Sequence, residues 1–87
     1  MRNERQAIVK DKASGAVLFS GSIVLVTEES EDILVDRHGH FDVNDDSRFT
    51  PRQSIAIHLQ GGETLKAFIN RLSPYASGWR ISFQAGG

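Results

Sequence analysis

The sequence predicts an all-β domain curled into a small barrel, and three observations carry that reading. Ser54-Ile55-Ala56-Ile57-His58-Leu59 and Trp79-Arg80-Ile81-Ser82-Phe83-Gln84 alternate with the period of two expected of half-buried strands. The run from Ala16 to Thr27 is rich in β-branched residues, and Gly21 in its middle predicts a bulge or sharp bend that lets a small sheet curl. With 87 residues the chain makes one domain, because a chain this short buries only roughly 60% of its unfolded surface.

In chain order, Ala7-Ile8-Val9 reads as a first short strand, and Asp11-Lys12-Ala13-Ser14-Gly15 as the turn into the Ala16 to Thr27 strand. Glu28 to Asp32 is a polar connection to a brief third strand at Ile33-Leu34-Val35. Arg37-His38-Gly39-His40 reads as a turn centred on glycine, and Phe41-Asp42-Val43 as a half-buried strand after it. Asn44 to Gln53 is a loop: Pro51 cannot donate to a ladder, and the Asn-Asp-Asp-Ser cluster bonds its own backbone in turns. Gly61-Gly62 supplies the hairpin turn after Leu59. Thr64 to Leu72 is ambiguous, since Leu65, Phe68, Ile69 and Leu72 also fall at helical spacing. Its length, below the ten or so residues usual for a helix, and the glycine turn before it decide for a strand. The closing strand is expected to bury Trp79, Ile81 and Phe83 while Arg80, Ser82 and Gln84 face water, and Ala85-Gly86-Gly87 to be a loose tail.

Composition excludes several functions. The chain has no cysteine, so disulfides, thiolate metal sites and a thiol nucleophile are absent. Its longest apolar stretches fall far short of the roughly 20 residues of a membrane-spanning helix. The polar start Met1-Arg2-Asn3-Glu4-Arg5-Gln6 does not resemble a signal peptide, which places the domain in the cytoplasm. Net charge is only -1, but Glu28, Glu29, Glu31, Asp32, Asp36, Asp42, Asp45 and Asp46 cluster against Arg37 alone, and the other nine basic residues lie outside that stretch. Solvated loops and strands account for such a run; the alternative is a surface for a partner.

No nucleophile elbow, phosphate-cradling loop or dinucleotide fingerprint is present, so the reading is not an enzyme and needs no cofactor. His38-x-His40-x-Asp42 would put two imidazoles and a carboxylate on one strand face, but a turn at Gly39 disrupts that alternation. Asp42-Val43-Asn44-Asp45-Asp46-Ser47 opens like a calcium loop and then fails, with Ser47 in place of glycine and Gln53 in place of the bidentate glutamate. No metal is therefore expected. Nucleic-acid binding would rest on Arg71 and Arg80 beside Phe68 and Tyr75, aromatics better placed in the core, and the chain lacks a basic excess.

The order of these features resembles the PilZ family over nearly the whole chain. The likeness lies in a basic N-terminal segment, a first hairpin, Gly21-Ser22-Ile23-Val24-Leu25-Val26-Thr27-Glu28-Glu29, then Pro51-Arg52-Gln53-Ser54-Ile55-Ala56-Ile57 and a closing Gly78-Trp79-Arg80-Ile81-Ser82-Phe83. The resemblance implies a six-stranded antiparallel β-barrel spanning residues 1–87. It also implies a cyclic di-GMP site, which many members build from an Arg-x-x-x-Arg segment and a following Asp/Asn-x-Ser-x-x-Gly segment. The matching positions here are Arg2, Arg5, Thr27 and Ser30. Arg2 and Arg5 stand one residue too close together, Leu25 replaces the acid or amide, and Ser30 replaces the glycine. Arginine forks would grip phosphates and guanine edges, whereas Glu28, Glu29, Glu31 and Asp32 repel a dianion. The resemblance thus implies a degenerate member that works through a protein partner in bacterial second-messenger, motility or biofilm signalling, the acidic stretch or exposed strand edges making the contact. Weak cyclic di-GMP binding and nucleic-acid binding are the alternatives.

Overall fold

The computed structural model describes residues 2–29 and 35–86, and these form six antiparallel strands with no helix. They are β1 (Arg2–Asp11), β2 (Val17–Glu29), β3 (Val35–Val43), β4 (Ser54–Leu59), β5 (Thr64–Tyr75) and β6 (Gly78–Ala85). Each pairs with two neighbours in the closed order β1-β2-β3-β6-β5-β4, with β4 returning to β1. The expected all-β barrel is the observed one.

The inner face of each strand supplies the core. Val9, Ile23, Phe41, Ile55, Ile57, Ile69, Ile81 and Phe83 are all but fully buried, and among the described residues no polar or charged side chain is buried. The rings of Phe19 and Phe41 stack with centroids 4.7 Å apart, and Phe49 tilts against Phe41 at 5.7 Å. Phe49 belongs to the Asn44 to Gln53 loop, which the alternating pattern does not mark as core; it closes that end of the barrel. Arg52 N–H donates to the Ile69 carbonyl and Ile69 N–H to that of Gln53, so the loop continues the β5 ladder beyond the end of β4.

Three local expectations are corrected. Gly39 is not a turn: β3 runs straight through it, and Gly39 faces Leu25 on β2 and Phe83 on β6. A Cβ there would lie 1.9 Å from the Val24 carbonyl oxygen and 2.9 Å from the Phe83 ring, so the glycine serves a close approach of backbone and ring. The β2 bulge does not fall at Gly21, which stays paired with Ala7. Val9 pairs with Phe19 and Lys10 with Val17, leaving Leu18 as the extra residue of a bulge. Gly21 has φ +152°, and the Phe19 ring packs 3.2 Å from where its Cβ would be. Finally, Ala85 belongs to β6 and Gly86 N–H donates to the Lys66 carbonyl, so that part of the expected tail is tied to the sheet.

Strand lengths also differ from the apolar runs that signalled them. β1 begins at Arg2, five residues before Ala7, because Arg2 to Gln6 pair along Val26 to Ser22 through backbone groups alone. Ile33 and Leu34 lie outside the described residues. The helical spacing in β5 has a strand explanation. Leu65, Ala67 and Ile69 point inward, Phe68 points out, and a register shift between Ile69 and Arg71 resets the alternation so that Leu72 stands opposite the buried Ile81. Phe68 and Tyr75, expected in the core, are 39% and 48% exposed, and Trp79 is only half-buried.

Candidate binding surface

With its interior occupied by apolar side chains, the barrel presents its chemistry on its outer wall and at its two ends. Along β1, β2, β3 and β6 the outward positions line up through the register. Glu4 faces Val24, Val24 faces His40, and Asp42 faces Arg80. Between them runs a shallow groove of about 330 Å³, with Arg2 and Glu4 on one flank, Ser22 and Val24 in its floor, and His40, Asp42 and Arg80 on the other flank.

Arg80 is the most constrained cation of this wall. Its Nε and Nη2 donate to the two carboxylate oxygens of Asp42 at 2.9 and 3.2 Å, and its Cζ sits 3.7 Å from the centre of the Tyr75 ring. A bidentate fork stacked on an aromatic face fixes the plane and direction of the guanidinium. The hydrogen bonds from Arg80 hold the Asp42 carboxyl below its ordinary range. His40 is pushed down, first by partial burial and then by the Arg80 cation, with Arg2 adding to the effect and Asp42 opposing it. The wall therefore carries both signs, with Arg2 and Glu4 on one flank, Asp42 and Arg80 on the other, and the imidazole of His40 between them.

The residues suggested for a nucleotide do not converge. Arg2 and Arg5 are three apart in one strand, so their side chains leave on opposite faces. Arg2 joins the outer groove, whereas Arg5 turns to the barrel end and donates to the Gln60 carbonyl at 3.2 Å. Arg5 pairs with Ile23, four residues before Thr27 on β2, a separation of roughly 13 Å along the strand. Thr27 pairs instead with Arg37, whose guanidinium bonds Glu63 at 2.7 Å. Ser30 lies outside the described residues.

Glu31 and Asp32 lie outside the described residues, and the described acids from Asp36 to Asp45 are spread along the length of β3 rather than gathered at one point. Asp36 bonds His38 and Gln84, Asp42 holds Arg80, and Asp45 accepts from the backbone and hydroxyl of Ser47 at the opposite end of β3. Because β3 is continuous, His38, His40 and Asp42 do share a face, contrary to the turn expected at Gly39. Even so, no group of three or more such side chains is placed to hold a metal ion among the described residues. No helix among the described residues is long and apolar enough to cross a membrane. Sequence reasoning singled out Asp42, Arg80 and Tyr75 separately and missed them as one cluster. Asp42 and Arg80 are 38 residues apart, and only the β3 to β6 pairing joins them.

Comparison of the chain with family models, curated proteins and solved structures gives no match.

Proposed function

We propose that this domain is a non-catalytic, PilZ-like regulatory adaptor of the cytoplasm that binds a protein partner through the outer wall of β1, β2, β3 and β6. The observation that carries this reading is the presence of both signs of charge along the groove, with Arg80 held rigid by Asp42 and Tyr75. A nucleotide dianion favours a concentrated positive site, whereas Glu4 and Asp42 interrupt the positive charge of Arg2 and Arg80. A protein surface also carries both signs, and pre-set charges opposite their complements give register and selectivity at little ordering cost. The divergence of Arg2 and Arg5 argues in the same direction.

Calorimetric titration with cyclic di-GMP at low salt, of the domain and of its Arg2→Ala/Arg5→Ala variant, separates the two readings. No heat of binding is expected from either protein. Micromolar binding that the variant loses would replace the adaptor by a nucleotide receptor.

A further inference from the structure

Among the described residues several stretches of strand lack a paired neighbour on one side, the longest being Val17 to Ile23 on the β3 side of β2, the second half of β5 and the first half of β1, and they differ in kind. β4 pairs with β1 only over Ala7 to Asp11, and with β5 only over Thr64 to Phe68. The β2 stretch carries the bulge at Leu18, and the second half of β5 beyond its bulge contains Pro74; a bulge and a proline are both devices that discourage further pairing. The first half of β1 contains neither. There the Gln6 carbonyl accepts from Gln60 N–H at 2.9 Å, which shows that the even-numbered residues of β1 direct their backbone groups towards the β4 side. Glu4 and Arg2 direct theirs the same way, past the end of β4, where no described strand pairs with them.

We propose that two copies of this chain pair here, β1 against β1, antiparallel and centred on Asn3. The register follows from charge and geometry. A two-fold axis through the shared sheet matches outward residues with outward residues, so even positions meet even positions. Centring on Arg2 or on Glu4 sets each against its own copy, like charge on like, and the second choice also needs the Gln6 carbonyl that Gln60 already occupies. Centring on Asn3 sets Arg2 of each copy opposite Glu4 of the other, on the outer face. Arg2 and Glu4 are also the two residues whose N–H and C=O point to the edge, so these oppositely charged pairs are the hydrogen-bonded ones. So few residues bury less than the roughly 1,000 Å² of a stable interface, and the pairing is weak and concentration-dependent. Its readout is self-association, independent of any partner on the outer wall.

The absence of cysteine makes a covalent trap direct. Asn3→Cys places two thiols across a non-hydrogen-bonded pair with Cα atoms about 4.5 Å apart, within disulfide reach. Glu4→Cys leaves its two thiols offset by two residues each way along the ladder, roughly 8 Å or more apart and out of reach. With diamide as oxidant, Asn3→Cys is expected to form disulfide dimer at least tenfold faster than Glu4→Cys. In the Asn3→Cys background, Arg2→Glu or Glu4→Arg alone is expected to slow trapping by setting like charges opposite, and the double exchange to restore it. Circular dichroism of each variant confirms the fold. Equal trapping at both positions, no trapping at Asn3→Cys, or trapping indifferent to the charge exchanges would overturn the proposal.

Discussion

Gly39→Ala is expected to destabilise the domain by about 3 kcal/mol or more, the upper end of what overpacking costs. The added methyl would sit 1.9 Å from the Val24 carbonyl oxygen, and that oxygen is backbone in the adjacent strand of the ladder. The far side offers no relief, since the Phe83 ring lies 2.9 Å away and is itself buried in the core. Either β2 and β3 move apart, weakening the pairing that closes the barrel, or Phe83 leaves its site. Domains of this class hold only about 5–15 kcal/mol in total, so a loss of this size is a large share of the stability. Urea unfolding followed by tryptophan fluorescence of Trp79 checks it. A midpoint unchanged from the parent would show that the close approach at Gly39 is not a structural constraint.

Phe41→Ala is expected to cost about 3–5 kcal/mol, as removal of a fully buried aromatic ring does. Phe41 is 2% exposed and touches three other rings, with centroids 4.7 Å away for Phe19, 5.7 Å for Phe49 and 6.3 Å for Phe83. It therefore joins β2, β3 and β6 to the loop that closes one end of the barrel. Its loss leaves a cavity that collapses only if Phe49 or Phe19 moves, and Phe19 is held by the space that Gly21 leaves for it. The same denaturant measurement reads the effect. Phe41→Leu, which refills most of the volume, is expected to recover more than half of it.

Most of the architecture was legible in the alternation of side chains. β4 coincides with the run Ser54 to Leu59, and β6 extends Trp79 to Gln84 by one residue at each end, because both strands present one face to the core over their whole length. Alternation fails where a strand leaves the core. Arg2 to Gln6 form a strand through backbone pairing alone, and nothing in their side chains signals it. It fails again at bulges: the one beyond Ile69 makes a strand look helical by changing which face Leu72 takes. Glycine is ambiguous for a physical reason, since it permits both turns and close approach. The pattern around Gly39 cannot tell which it serves until Phe83, 44 positions later, is placed beside it. The binding surface was least legible for the same reason, because its ion pair joins Asp42 on one strand to Arg80 on another.

The reading that this barrel acts through its outer wall is tested most directly by photo-cross-linking in the native host. A photoreactive amino acid would replace Ser22, in the floor of the groove, and in a second protein Lys66, exposed on β5 away from it. The Ser22 probe is expected to capture a defined protein, the Lys66 probe not to, and the adduct to disappear when Arg80→Ala and Asp42→Ala remove the fixed ion pair. Equal capture from both positions, or capture at Ser22 that survives loss of the ion pair, would contradict it.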